Sequence, residues 1–167
     1  MATGAMIDTK KVQGRRELSF ASLDAVVADA EMLVQADEAG RLKALGNWTI
    51  GQACGHLSTW INFALDGYPP EVKPPWIVKV LVKPMKRKFL AGKMPVGVRI
   101  PKFPEGTLGT ERLAAREGLE RLRKSCARLK AEAPKNLNPI FGALTHEEWI
   151  KMNIGHANLH LSFFVVK

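Results

Sequence analysis

"NIGHANLHLSFF", residues 153–164, decides how this chain is read, because it sets two histidines four residues apart among apolar neighbours. At about 100° per residue, His156 and His160 share one narrow arc of a helix. The same arc carries Trp149, Asn153 and Phe163, and the opposite side carries Lys151, Asn158 and Ser162. The pattern predicts a helix that turns both imidazoles towards the interior, where histidines at i and i+4 can converge on one metal ion.

The segments before this stretch also have helical apolar spacing. The last helix is predicted to begin at Thr145, where "THEE" places Glu148 as the partner in a capping box, and to continue close to the C-terminus. A long charged helix is predicted before it, from a cap at Thr107 or Thr110 to Pro134. Its apolar stripe consists of Leu113, Leu119, Leu122 and Leu129.

The first half of the chain predicts two more long helices. One runs from a cap at Ser22 to Gly40, and the next from a cap at Thr49 to Gly67. A short helix is expected near 76–90, interrupted by Pro84, and "RRELSF" at 15–20 is the longest stretch that suggests a strand. The predicted fold is therefore all-α, a four-helix bundle with one long basic crossover, in a single domain over residues 1–167.

A third histidine could join the pair. His56 in "GHLSTW" shares its helix face with Ala53, Trp60 and Phe63, so packing of the second helix on the last one would bring three imidazoles together. His146 precedes His156 by ten residues, roughly 15 Å along the same helix, which is too far to share an ion. Cys54 faces the other side of its helix from His56, and Cys126 lacks a suitably spaced partner.

A set of His56, His156 and His160 would leave one metal position open, as catalytic sites do. Polar residues expected to orient the rings are Gln52, Asn62, Glu148 and Asn153. The bare H-x-x-x-H spacing is a weak motif, and histidines bonded to carbonyls and Asn153 in the core are the alternative.

The net charge of +9 is concentrated in one segment. Lys and Arg number 6 against 8 Asp and Glu in residues 1–70, 9 against 1 in 71–103, and 10 against 7 in 104–167. The middle segment is a solvated basic loop, a funnel for an anionic small molecule, or a patch that meets a membrane surface. It contains no nucleic-acid reading motif, so no specific nucleic-acid partner is expected.

Composition also predicts the compartment. The chain has two cysteines, no apolar leader and no apolar run near the roughly 18 residues of a membrane span. A cytoplasmic protein with free thiols and no transmembrane segment is expected.

Two stretches carry a family resemblance. "NWTIGQACGHLSTWINFALDG" and "FGALTHEEWIKMNIGHANLHLSFF" resemble the second and last helices of the DinB/YfiT-like superfamily. With "KKVQGRRELSF" and "KPMKRKFLAGKMPVGVRIPKF", the chain looks closest to an uncharacterised DinB-related family. The resemblance implies a four-helix bundle, often a homodimer, with a divalent metal, zinc or nickel, on His56, His156 and His160.

The same resemblance implies a reaction. Superfamily members of understood chemistry are metal-dependent transferases or isomerases that use a small thiol such as bacillithiol, mycothiol or glutathione. The expected function is thus a metal-dependent thiol transferase acting on a small, anionic ligand. The alternative is a noncatalytic metal- or ligand-binding module related to stress.

Overall fold

The computed structural model describes residues 6–100, 103 and 105–167 and is mainly helical. Its helices are α1 (Leu23–Glu38), α2 (Ile50–Asp66), α3 (Trp76–Val82), α4 (Lys86–Leu90), α5 (Ala115–Ala131) and α6 (His146–Leu161). Its strands are β1 (Leu42–Ala44) and β2 (Phe164–Val166), which pair antiparallel. The long helices α1, α2, α5 and α6 pack around one apolar core, which confirms the predicted four-helix bundle.

The predicted helix starts at Ser22, Thr49 and Thr145 are confirmed by their caps. The Ser22 hydroxyl accepts from the Ala25 amide at 3.1 Å. Thr49 and Thr145 each form a complete capping box, with Gln52 and Glu148 as the partners three residues on. These bonds satisfy amides that have no partner inside the helix, so each helix begins where its cap stands.

Two glycines set the closest helix contact, between α2 and α5. A Cβ on Gly118 of α5 would collide with the Gly51 carbonyl oxygen of α2 and lie 2.9 Å from the Gly51 Cα. Neither glycine has a side chain, so the two backbones approach one another closely at this point. The contact anchors α2 in the centre of the bundle, where most of its first two turns are buried.

The start of α5 corrects the sequence prediction. The helix begins at Ala115, not at Thr107 or Thr110, and its preceding residue Ala114 makes no side-chain cap. The Thr110 carbonyl instead accepts from the Gln52 side chain at 3.1 Å, and Leu113 lies where a Cβ on Gly55 would meet it. The glycines of α2 leave a groove for the chain before α5. Leu113 therefore packs against α2 from a loop and is not, as the sequence predicted, part of the apolar stripe of α5.

The chain ends differ from the prediction as well. α6 stops at Leu161 and is followed by β2, whose Phe164 pairs with Ala44 of β1. The stretch 15–20 forms no strand. Its Arg16 instead makes a two-point ion pair with Asp29 at 2.7 and 2.8 Å, and the Arg16 amide donates to the Ser162 carbonyl.

The basic middle segment forms α3, a 3-10 turn at Lys83–Met85 and α4, as expected for a short helix interrupted by Pro84. α4 packs on α6, where a Cβ on Gly155 would lie 2.9 Å from the Gly92 Cα. Lys86 adds an ion pair to Glu148 at 2.7 Å. Much of the segment is exposed at the protein surface. Within the described residues, no helix has both the length and the apolarity to cross a membrane.

Candidate metal centre

Three histidines from two helices meet inside the bundle. His56 projects from the middle of α2, and His156 and His160 project from one face of α6. The Nε2 atom of His156 lies 3.2 Å from that of His56 and 3.0 Å from that of His160. One nitrogen from each of the three rings falls within 4.8 Å of the others, and the group could hold a metal ion.

These separations match those of metal ligands. Zn–N bonds of about 2.0–2.1 Å in a tetrahedral arrangement place ligand nitrogens about 3.3 Å apart. Two of the three spacings, 3.2 and 3.0 Å, are close to that value, and all three lie within 4.8 Å. Three nitrogens and no thiolate or carboxylate make up the group, a donor set that suits zinc, nickel, iron or copper.

A backbone carbonyl orients His56. The ring Nδ1 lies 2.7 Å from the Leu108 carbonyl oxygen, so Nδ1–H donates and Nε2 keeps its lone pair. Leu108 lies in the loop before α5, directly after Thr107, which was one of the two predicted helix starts. The departure from that prediction is therefore what aims the His56 lone pair at the other two histidines.

Burial keeps all three imidazoles neutral. It lowers the pKa of His56 to about 4, against a smaller opposing effect of the Leu108 bond. Burial is also the main cause that holds the pKa values of His156 and His160 well below the usual range, and repulsion between the rings adds to it. Neutral imidazole is the form that ligates a metal, so this group does not need to lose protons at neutral pH before binding.

Tryptophans enclose the histidines. Trp48 stacks on His160 with ring centroids 5.1 Å apart and touches His56 at 4.8 Å. Trp60 stands 6.0 Å from both His56 and His156. His56 is only 2% exposed, whereas His156 and His160 keep partial exposure. The two tryptophans therefore cover part of each ring, and what exposure the group keeps lies at His156 and His160 of α6.

The remaining histidine and the cysteines lie elsewhere, as the spacing predicted. His146 bonds through Nε2 to the Leu129 carbonyl at 2.6 Å, which ties the start of α6 to the end of α5. Cys54 and Cys126 are free and buried. Burial raises the pKa of each thiol to about 12, so neither supplies a thiolate at neutral pH.

The residues proposed to orient the rings make other contacts. Gln52 bonds to Thr49 and Thr110, and Asn153 donates to the Trp149 carbonyl. Asn62 accepts from Ser125, and Glu148 pairs with Lys86. The prediction that these residues orient the rings was wrong, because each of them bonds to groups of its own helical turn or of a neighbouring segment. The acceptor that does orient His56 is a backbone carbonyl, for which the sequence carries no signal.

The sequence prediction also missed Trp48 as part of the site. It stands just before the Thr49 cap, outside the predicted helix, so helical periodicity did not relate it to His56. A tryptophan next to a helix cap on a histidine-bearing helix is the signal that could have found it.

Comparison with known proteins places the chain in a family. A family model described as "Protein of unknown function (DUF1569)" matches residues 12–167, nearly the whole chain, so the chain belongs to this family. No curated protein and no solved structure matches it.

Proposed function

We propose that this DUF1569 protein holds a divalent metal, zinc or nickel, on His56, His156 and His160 and uses it as a thiol transferase. The observation that carries the proposal is the convergence of three neutral imidazole nitrogens, with His56 lying 100 positions before His156 in the sequence. Lone pairs on ring nitrogens that face one another repel, and a cation bound between the nitrogens would relieve that repulsion.

The donor set suits this chemistry. Three protein ligands leave a position for an exogenous group, which is the arrangement of catalytic metal sites. A divalent ion bound there supplies Lewis acidity that lowers the pKa of a thiol to the point where it is a thiolate at neutral pH. The Leu108 carbonyl would hold the orientation of the His56 ring, and Trp48 and Trp60 would limit the access of water to all three rings.

The thiol would come from a small molecule. The pKa values of Cys54 and Cys126 are raised to about 12 by burial, so the chain has no nucleophilic sulfur of its own. Arg15 is the cation whose charge acts on His160, and its guanidinium lies 4.3 Å over the Phe163 ring. A carboxylate of bacillithiol or glutathione would be attracted to that charge, whereas mycothiol has no free carboxylate and would not be.

We also propose that the family belongs to the DinB-like proteins and that residues 1–167 form one domain. Two features of the structure support this relationship: the four-helix bundle, and the histidines on its second and last long helices. The "NWTIGQACGHLSTW" and "NIGHANLHLSFF" stretches carry the resemblance. The short strands and the extended segment before α5 are features of this chain that the resemblance did not anticipate.

A noncatalytic metal-binding module is the second candidate, and one observation favours it. Aromatic rings pack against all three imidazoles, and none of the three histidines lines the cleft of about 540 Å³ beside α3. Because these rings occupy space beside the metal position, little room is left for an electrophile, which suits a protein that binds the metal without catalysis.

The two candidates separate in one experiment. Protein purified without a histidine tag is analysed for metal content, and then each of the three thiols is tested with a panel of electrophiles. About one metal per chain with thiol-dependent turnover, lost on chelation and restored by zinc or nickel, supports the enzyme. Bound metal without turnover for any thiol supports the binding module, and absence of metal affinity contradicts both.

A further inference from the structure

The surface of α3 carries an unusual concentration of exposed apolar side chains. Trp76, Ile77, Val80 and Leu81 are 74%, 52%, 60% and 69% exposed. At about 100° per residue they cover roughly 140° of the helix, while Val78 and Val82 on the other side are partly buried. A contiguous apolar face at the surface of a protein marks an interaction site more often than scattered single residues do.

The cations around this face differ from several on α5, which have carboxylate partners. On α5, Arg116 pairs with Glu38, Arg128 with Asp66, and Lys130 with Asp24. Between residues 72 and 100 there is no acidic residue. In that range, six basic side chains have no ion pair with any residue that the structure describes: Lys73, Lys79, Lys83, Arg87, Lys88 and Lys93.

Three of these lysines border a cleft beside α3. Lys73, Lys79 and Lys83 line one wall of the cleft of about 540 Å³. Tyr68, Val72, Ile140 and Phe141 contribute aromatic and aliphatic surface to the same cleft, and Val80 belongs both to it and to the exposed face. The surface thus combines a basic rim, an apolar cleft and an apolar helix face.

We propose that α3 and its lysines dock the protein on an anionic lipid bilayer. Tryptophan and aliphatic side chains enter the boundary between headgroups and acyl chains, and lysines extend their ammonium groups to the phosphates. The six cations that make no ion pair with any described residue complement the negative surface of such a bilayer. The same three-part surface fits a phospholipid, whose phosphate would meet the lysines and whose acyl chain would meet the cleft.

The charge and the side-chain types of this surface argue against two other binding partners, a second copy of the chain and a nucleic acid. In a symmetric pair of chains the same patch meets itself, and here that contact would oppose like charges with no acidic residue between 72 and 100 to offset them. Nucleic acid would use the lysines but would leave Ile77, Val80 and Leu81 without a role, since bases stack on aromatic rings and not on aliphatic chains. The proposal does not depend on a metal, because none of the three histidines lines the cleft.

The test uses the full chain and sedimentation with vesicles. Vesicles of phosphatidylcholine are compared with vesicles of phosphatidylcholine and phosphatidylglycerol in equal amounts, at low and at raised ionic strength. We expect binding to the anionic vesicles, at least about tenfold weaker binding to the neutral ones, and weakening with added salt. Tryptophan emission should shift to the blue on binding, and Trp76→Phe should remove most of that shift because Trp76 is the exposed tryptophan.

Two double variants separate the apolar and the basic parts. Ile77→Ser with Leu81→Ser, and Lys79→Gln with Lys83→Gln, should each weaken binding by roughly tenfold or more. Matched controls are Met32→Ser with Val98→Ser, which alter exposed apolar residues outside α3, and Lys43→Gln with Lys124→Gln, which remove the same charge elsewhere. All these side chains are exposed, so circular dichroism should show a folded bundle in each variant.

Four outcomes would overturn the proposal. One is equal affinity for neutral and anionic vesicles, or for neither. Another is loss of binding in the controls as large as in the α3 variants. The third is a dimer in sedimentation velocity that the Ile77→Ser, Leu81→Ser variant dissociates, which would make this face a contact between two chains. Binding of short-chain phosphatidylglycerol below its micelle concentration, without vesicle binding, would likewise replace the bilayer with a single lipid molecule.

Discussion

His156 is the central member of the histidine group, and its truncation tests the metal proposal most directly. Its Nε2 is the atom close to both other rings, at 3.2 Å from His56 and 3.0 Å from His160. His156→Ala leaves two nitrogens on different helices with no ligand between them. We expect this change to weaken metal binding by about 100-fold or more.

The size of the effect follows from mass action. A ligand at 100 times its Kd that binds only the folded state stabilises that state by about 2.7 kcal/mol. If His156→Ala raises Kd by about 100-fold, the same metal concentration stabilises the variant by only about 0.4 kcal/mol. For a chain of this size, 1 kcal/mol shifts Tm by roughly 2–4 °C, so a metal-induced rise of about 5–10 °C should shrink to about 1 °C.

The assay is a thermal melt with chelator and with added zinc or nickel, for the parent and for single alanine variants at His56, His156 and His160. His146→Ala is the matched control, since His146 bonds to the Leu129 carbonyl and takes no part in the group. In chelator this variant should have a free energy of unfolding lower by about 1–3 kcal/mol, the cost of a lost hydrogen bond, and so a lower Tm. The rise in Tm on adding metal should be unchanged. An undiminished rise in His156→Ala would refute the reasoning.

Three further predictions concern pH, helix packing and the tryptophans. In chelator, burial lowers the pKa of His56 to about 4, so the unfolded chain binds more protons between about pH 6.5 and pH 4. The free energy of unfolding, measured by urea titration, should therefore fall as the pH is lowered through this range, by up to about 3 kcal/mol for this residue, and His56→Gln should flatten the dependence. Gly118→Ala would force a Cβ against the Gly51 carbonyl and should cost roughly 2 kcal/mol or more in the same titration, whereas the exposed Glu120→Ala should change it by less than about 0.5 kcal/mol. Added Ni²⁺ should quench tryptophan emission, and Trp48→Phe should remove much of that quenching while Trp76→Phe leaves it, because Trp48 stacks on His160; equal loss in the two variants would place the bound ion elsewhere.

The sequence by itself determined the features that depend on one or two helical turns. Ser22, Thr49 and Thr145 mark helix starts because a cap bonds to an amide only three residues away. His156 and His160 share a face because four residues complete about one turn. The broken helix around Pro84 is a local property of the same kind. The free thiols of Cys54 and Cys126 were predicted from the small number of cysteines and not from local geometry.

Only the tertiary structure decided how those pieces meet. His56 joins His156 across 100 residues, and its Nδ1 finds the Leu108 carbonyl across 52. The late start of α5 at Ala115 has the same origin: contacts with Gly51, Gly55 and Gln52 of α2 outweigh the helix signals at Thr107 and Thr110. Backbone carbonyls are identical in every residue, so the group that aims His56 at its partners has no signature in the sequence and exists only once α2 and the segment before α5 pack together.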